Sequence, residues 1–290
     1  MSLIRDIKDW CARFKKAKVE KEAALATPRA ATPTAQPATP ATPAAPSKPV
    51  AARRWDEAVH ASCWDGSNAS RRLMNLVSPH FSENKFREYL KWTKERGCDA
   101  AHVILINQAD GEGAGYNCAS NADHAKLARE RIESLRREGF AIVPWLITDD
   151  SRDFAEDLFA HPEERIKALA AARLFDGAAY VVLGLEMDEP NSYPSGKTGW
   201  PKVAAALRKH YTGRIGVHHK SGNSFPFAGL GDIILGQLDP GDATPAAIAK
   251  QIKAIQALGK EAVGFEYARG PARDLAKIAL DKGAAGVGNW

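Results

Sequence analysis

Short apolar runs alternate with amphipathic stretches of helical period from residue 55 to residue 290, and this alternation limits the possible fold more than any other feature. Several of the runs are continuously apolar, which is typical of parallel strands covered on both faces. Eight strand–helix units in about 240 residues predict a (β/α)8 barrel. A doubly wound open sheet is the alternative. The predicted strands are 60–65, 102–107, 141–148, 179–186, 215–219, 232–238, 262–267 and 285–289.

Glycine-rich turns bear on the choice between these two folds. A doubly wound sheet usually carries such a turn after its first strand, where it holds a phosphate. Here that turn reads WDGSNAS, without the GxGxxG spacing. A second stretch, GEGAG at 111–115, follows the second predicted strand but does not open a helix directly, so its dinucleotide signal is weak. The sequence therefore favours the barrel and predicts no cofactor.

The segments between the strands divide into predicted helices and long loops. Ser82 is a plausible N-cap for the first helix of the set. The loops after strands two, four and five are long (108–121, 187–200 and 220–229). Long loops at this edge of a barrel are where substrate clefts are built, and three of them favour a groove for a polymer. The predicted helices are 82–96, 123–138, 152–175 as one or two helices, 201–210, 246–258 and 271–282, with 221–231 as loop or turn.

The N-terminal 54 residues differ in composition from the rest. Residues 1–25 have apolar residues at helical spacing opposite a basic face, which predicts a docking helix for a partner protein or an anionic membrane surface. Residues 26–54 are rich in Ala, Pro and Thr, which is typical of an extended, disordered linker. We expect these segments to tether a separate barrel domain at 55–290. The alternative is a helix that packs on its own barrel and a tail without function.

Charge and cysteine usage exclude several classes of protein. The net charge is +5, but residues 1–54 hold 11 lysines and arginines against 4 aspartates and glutamates, so the predicted barrel is not basic. This argues against a nucleic-acid partner. The four cysteines form no CxxC pair and no HExxH occurs, so no metal site is predicted, although a Cys63–Cys98 or Cys98–Cys118 bridge is left open. No apolar run approaches 18 residues and no secretory signal is recognisable.

Two predicted strands end in a glutamate with a glycine two residues earlier: Gly184 with Glu186, and Gly264 with Glu266. Residues two apart share a strand face, so a missing side chain beneath each glutamate predicts room for a ligand at the barrel mouth. Two carboxyl groups from roughly opposite sides of a barrel flank one bond. Glycoside hydrolysis requires this pair, because one acid protonates the leaving oxygen and one carboxylate attacks or activates water.

With glutamates at the ends of predicted strands four and seven, the sequence resembles the clan of (β/α)8 glycoside hydrolases that use a glutamate pair at these positions. The resemblance implies that Glu186 is the acid/base, that Glu266 is the nucleophile, and that the reaction retains configuration, with the carboxyls about 5–5.5 Å apart. The clan often shows Asn-Glu-Pro after strand four, and the nearest match is 188–190, so Glu189 is the alternative acid/base. For Glu266 the alternative is a structural ion pair with Arg269. The resemblance covers the predicted barrel only and identifies no specific family.

Other residues at the predicted strand ends suit a sugar site. Amide side chains hydrogen-bond hydroxyl groups, and aromatic rings stack on sugar faces. His218 and His219 are adjacent, so one is expected to face the site and the other to pack outward. The predicted substrate-binding residues are Trp64, Asp65, Asn107, Gln108, Trp145, His218, Gln237, Tyr267 and Trp290.

Taken together, these patterns predict a tethered hydrolase that cleaves a poly- or oligosaccharide, such as a cell-wall or surface glycan, without metal or cofactor. A helix, a Pro-rich spacer and a barrel are also compatible with a virion- or envelope-associated protein, although nothing in the sequence fixes a location. Two alternatives stay open. One is a non-catalytic carbohydrate-binding or structural barrel in a larger assembly such as a phage tail, and the other is a different barrel enzyme, such as a lyase or a phosphate-ester enzyme.

Overall fold

The computed structural model describes residues 82–95, 100–109, 114–148, 151–220, 224–238, 244–266, 278–279 and 281–289. These residues form one mixed sheet in the order β2-β1-β3-β4-β5-β6-β7-β8. The strands are β1 (Ala100–Ala109), β2 (Ala114–Asn117), β3 (Ala141–Ile147), β4 (Val181–Val182), β5 (Ile215–His219), β6 (Ile233–Leu238), β7 (Glu261–Glu266) and β8 (Gly286–Asn289). The helices are α1 (Glu83–Glu95), α2 (Ala122–Arg137), α3 (Arg152–Ala160), α4 (Pro162–Ala171), α5 (Gly196–His210) and α6 (Pro245–Ala257), with a 3-10 turn at Ala228–Leu230.

Seven of these strands, β1 and β3 to β8, pair in parallel in the order in which they occur in the chain. This is the strand order of a (β/α)8 barrel. A doubly wound sheet reverses its strand order at a switch point, and no such reversal occurs among the described strands. The predicted strand at 60–65 lies outside the described residues, as do the predicted helix at 1–25 and linker at 26–54.

Two strand predictions need correction. The predicted loop 108–121 contains β2, which pairs antiparallel with the end of β1. A Cβ at Gly115 would lie 2.1 Å from the carbonyl oxygen of Gln108, so only glycine allows this close approach of two strands. The predicted strand 179–186 is regular only at Val181–Val182, and at its far end Glu186 has a φ outside the β region.

The helix predictions at 82–96, 123–138 and 246–258 agree with the structure to within one residue, whereas the one at 271–282 lies largely outside the described residues. The Ser82 Oγ accepts a 3.3 Å hydrogen bond from the Lys85 N–H, which confirms this residue as the N-cap of α1. The predicted helical region 152–175 contains two helices, α3 and α4. Helix α5 begins at Gly196 rather than at the predicted Pro201, which lies inside it.

The interior between the parallel strands contains polar aromatic rings as well as aliphatic side chains. The Trp145 Nε1–H donates a 2.7 Å hydrogen bond to Nδ1 of His102. The His218 ring lies 5.6 Å from the Trp145 ring, and Tyr180 meets His102 edge-on. Burial lowers the pKa of His102 to about 3 and lowers the pKa of His218 well below its usual value, so both rings are neutral.

Three further observations concern the described residues alone. Cys118 is a buried free thiol, so the Cys98–Cys118 bridge left open by the sequence does not form. No group of His, Cys, Asp and Glu side chains within the described ranges has the arrangement of a metal site. Among these residues there is also no helix with the length and apolar character needed to cross a membrane.

Candidate active site

Glu186 lies four residues after the end of β4, at the C-terminal edge of the parallel strands. Its φ of 46° lies in the left-handed region, which is unusual for a residue other than glycine. Its backbone N–H donates a 2.8 Å hydrogen bond to Nδ1 of His218. The N–H groups on either side of it bond to different strands. Leu185 donates to the carbonyl of Ile147 in β3, and Met187 donates to the carbonyl of His218 in β5. The glutamate is thus fixed between β3 and β5.

The Glu186 side chain is only 10% exposed, and its Oε2 lies 3.3 Å from Nζ of Lys220. Burial raises the pKa of Glu186, whereas the Lys220 ammonium lowers it, and burial is the larger effect. A carboxyl that keeps its proton more readily than usual has the property that a general acid needs near neutral pH.

Glu189, the alternative acid/base, has a different environment. Its Oε2 lies 3.1 Å from Nζ of the same Lys220, and its Oε1 accepts hydrogen bonds from the backbone N–H and the side-chain amide of Asn191. The hydrogen bond from Lys220 is the main reason that the pKa of Glu189 is lowered. The pKa of Glu189 is thus lowered and that of Glu186 is raised, although both carboxyls contact the same ammonium.

Lys220 completes this group, and the predicted site did not include it. It follows β5 directly, and its backbone N–H donates a 2.7 Å hydrogen bond to the Asp188 carboxylate. Its signal in the sequence is a charged residue directly after a predicted strand.

Glu266 occupies the expected position on the sheet. It is the last residue of β7, in register with Leu238 of β6 and Asn289 of β8. It therefore stands at the same C-terminal edge as Glu186. The contacts of its side chain lie outside the described part of the chain.

Asn107 and Gln108 lie at the end of β1, but their polar atoms bond within the protein. The Asn107 Oδ1 accepts hydrogen bonds from the Thr148 and Ser151 hydroxyls. The Gln108 side chain exchanges two hydrogen bonds with Asp153 at the start of α3. Both amides thus connect the end of β1 to residues between the end of β3 and the first turn of α3. Ser151, which also accepts the Gln108 N–H, was not predicted.

The remaining predicted binding residues divide into interior positions and positions outside the described ranges. Trp145 and His218 are buried in the interior described above, so Trp145 supports the site from below instead of presenting a ring at the surface. His219 packs against Phe225 and Phe227, on the face of β5 opposite to His218, as expected for adjacent residues of a strand. Gln237 is half-buried, and its Oε1 has no hydrogen-bond partner among the described residues. Trp64, Asp65, Tyr267 and Trp290 lie outside the described ranges.

The space beneath Glu186 is filled, which corrects one expectation. A Cβ at Gly184 would lie 2.5 Å from the Trp200 ring, so the absent side chain makes room for this tryptophan and not for a ligand. The Trp200 Nε1–H donates a 3.2 Å hydrogen bond to the carbonyl of Met187. Gly184 thus allows α5 to support the segment that carries Glu186.

A cavity of about 450 Å³ opens beside the segment that follows Glu186. Asp188 and Pro190 form one wall of it. The opposite wall comes from the loop after β5, so the cavity lies between two loops at the C-terminal edge. Its apolar lining includes Tyr193, Pro194, Pro226, Phe227 and Leu230.

Several solved glycoside hydrolases have a similar fold. A GH113 β-1,4-mannanase matches 80% of this chain and 87% of its own, with a TM-score of 0.50 and 14% identity. An endo-1,4-β-mannanase from Eisenia fetida matches 80% of this chain and 84% of its own, with a TM-score of 0.54 and 13% identity. A glycoside hydrolase family 5 protein from Bacteroides vulgatus matches 72% of this chain, with a TM-score of 0.56 and 16% identity, and this chain covers 54% of its length.

These likenesses confirm, at the level of the fold, the resemblance to (β/α)8 glycoside hydrolases that the sequence indicated. No protein-family model and no curated protein matches the sequence.

Proposed function

We propose that this protein is a glycoside hydrolase that cleaves a poly- or oligosaccharide, with Glu186 as the acid/base. The observation that carries the proposal is the Glu186 carboxyl itself. It is nearly buried, its pKa is raised, and it stands at the C-terminal edge of the parallel strands. This edge is where barrel enzymes place their catalytic groups. The contrast with the ionised Glu189 supports Glu186 over the alternative.

The proposed reaction uses Glu186 and Glu266 in two steps. In the first step, Glu186 gives its proton to the glycosidic oxygen while the Glu266 carboxylate attacks the anomeric carbon, so that the leaving sugar departs and a glycosyl-enzyme ester forms. In the second step, the Glu186 carboxylate takes a proton from water, and that water displaces Glu266. Both side chains return to their starting states, and the anomeric configuration is retained.

The substrate class follows from the site and from the similar structures. The cavity beside Asp188 has the apolar walls on which a sugar face packs. Two of the similar structures are named as β-1,4-mannanases, so β-1,4-mannan is the first polymer to test. The N-terminal 54 residues would tether the enzyme to a partner protein or a membrane surface near its glycan.

The direct test measures the sugar released by the full chain from β-1,4-mannan, β-1,4-glucan and bacterial cell-wall glycan. Glu186→Gln and Glu266→Gln should each lose about 10²–10⁴-fold in kcat with the circular dichroism spectrum unchanged. Glu189→Gln should lose much less. Glu163→Gln, an exposed change on α4, is the matched control. NMR of the first product should show the retained anomer.

Two results would overturn the proposal. One is full activity in the Glu186→Gln variant. The other is a wild-type chain that binds one of these glycans but releases no sugar, which would favour the non-catalytic binding barrel.

A further inference from the structure

Lys220 lies between two glutamate carboxyls whose pKa values are shifted in opposite directions. Its Nζ is 3.3 Å from Oε2 of Glu186 and 3.1 Å from Oε2 of Glu189. The backbone of Lys220 is also fixed, because its N–H donates a hydrogen bond to the Asp188 carboxylate. The lysine thus joins the end of β5 to the segment that follows β4, at the point where the proposed acid/base stands.

We propose that Lys220 is a positioning residue that assigns the two glutamates their separate functions, holding Glu189 as a permanent anion and Glu186 as the carboxyl that gains and loses the proton. This inference rests on the proposed function, and it adds a positioning role for Lys220 and separate roles for the two glutamates. Glu189 acts in it only as the second anchor of the lysine.

Burial explains why one lysine has different effects on two glutamates. The Glu186 side chain is 10% exposed and that of Glu189 is 20% exposed, and desolvation dominates only for Glu186. The lysine is 52% exposed, so its charge stays hydrated and only partly neutralises the buried carboxyl. Its own pKa is raised, first by the hydrogen bond to Glu189, so it stays an ammonium.

The other groups around Glu186 are also identified. Asp188 and Glu189 are negative and raise the pKa of Glu186, as does its burial. His218, from β5, is neutral, and its Nδ1 accepts a hydrogen bond from the backbone N–H of Glu186. Among the described side chains, Lys220 is therefore the positive charge that faces the Glu186 carboxyl.

This arrangement suits a group that must be an acid in one step and a base in the next. Before the reaction, burial raises the pKa of Glu186 and so favours its protonated form more than usual. After Glu186 has given its proton to the leaving oxygen, the new carboxylate stands 3.3 Å from an ammonium that is already in place, which stabilises the charge without rearrangement. The proton then returns from water in the second step.

The test titrates the carboxyl groups by NMR in full-length protein carrying ¹³C-labelled glutamate, with the Glu186 signal assigned by its loss in Glu186→Gln. Lys220→Met keeps the length of the side chain but removes the charge, so the pKa values of both Glu186 and Glu189 should rise. Lys220→Arg should restore both. Glu189→Gln should change the pKa of Glu186 in the opposite direction, because it removes a repelling anion and leaves Lys220 to Glu186 alone. Lys202→Met, on α5, is the control and should change neither pKa.

Kinetics give an independent measurement on the same variants. In Lys220→Met, the basic limb of the kcat/KM profile should move to higher pH, and kcat should fall about tenfold, less than the loss expected without the acid/base. Unchanged carboxyl titrations in Lys220→Met would overturn the inference. Wild-type protein that hydrolyses no glycan would instead contradict the proposed function. The NMR titrations would still show whether Lys220 sets the pKa values of the two glutamates.

Discussion

The backbone N–H of Glu186 donates a 2.8 Å hydrogen bond to Nδ1 of His218. This bond fixes the tautomer of the histidine, because an Nδ1 that accepts a hydrogen bond leaves the proton of the neutral ring on Nε2. It also holds a non-glycine residue in the left-handed region, where the backbone is strained by about 1–3 kcal/mol. A buried ring in the barrel interior thus fixes the conformation of the proposed acid/base.

Replacing His218 should weaken both the fold and the site. His218→Ala leaves the buried Glu186 N–H without an acceptor and opens a cavity beside Trp145, so the free energy of unfolding should fall by about 2–4 kcal/mol. His218→Asn keeps an acceptor oxygen near the place of Nδ1 and should recover part of this loss. Urea denaturation measures the difference, and equal stability of the two variants would contradict the importance of the bond.

The backbone strain at Glu186 predicts an unusual order of stability. Because φ is 46° there, Glu186→Gly should be more stable than Glu186→Ala by about 1 kcal/mol, although both variants lose the carboxyl. Ala205→Gly, at an exposed position within α5, tests the same pair of residues in helical backbone, where glycine should be less stable by about 1 kcal/mol. Denaturant unfolding of the three variants and of wild type measures these differences. A Glu186→Ala variant as stable as Glu186→Gly would contradict the prediction.

The buried His102 predicts how stability depends on pH. Its pKa is about 3 in the folded protein but near 6.5 in the unfolded chain, so the unfolded state binds the proton first as the pH falls. The stabilisation is therefore complete above about pH 6.5 and is lost towards pH 3, at up to about 1.4 kcal/mol per pH unit. His102→Asn should flatten this dependence between pH 6.5 and 5, as measured by urea unfolding at fixed pH values. An unchanged slope would show that this ring does not govern it.

The contact between Gly184 and Trp200 predicts a steric effect. A Cβ at Gly184 would lie 2.5 Å from the Trp200 ring, so Gly184→Ala should lower the free energy of unfolding by about 1–3 kcal/mol. Gly229→Ala is the matched control, because no atom lies within 4 Å of its added Cβ, and its effect should stay within about 0.5 kcal/mol. Thermal or urea unfolding measures both, and equal effects would mean that the tryptophan can move aside.

The order of the parallel strands was predictable from the sequence because their signal is local. Continuous apolar runs such as HVILIN and AIVPWLI identify β1 and β3, and the interval between them predicts a helix. Strand β2 was missed because its sequence, AGYN, has no apolar run. Its formation depends on Gly115 approaching the carbonyl of Gln108, which is a tertiary contact.

The residues of the candidate site were recognisable in the sequence, but their electrostatics were not. Glutamate at the ends of two strands is visible in the sequence, as are the amides of Asn107 and Gln108. Three features depend on contacts between separate elements, and no local pattern reports them: the left-handed backbone of Glu186, the filling of Gly184 by Trp200, and the sharing of Lys220 by two carboxylates.

The alternating hydrogen bonds of Leu185 and Met187 to the strands on either side have a consequence for substrate selection. Any displacement of the intervening backbone would break bonds to both β3 and β5, so the main chain that carries the proposed acid/base is held in place. Under the proposed function, discrimination between glycans would then depend on the polymer, because a sugar ring must distort to bring the scissile oxygen to a proton donor on a fixed backbone.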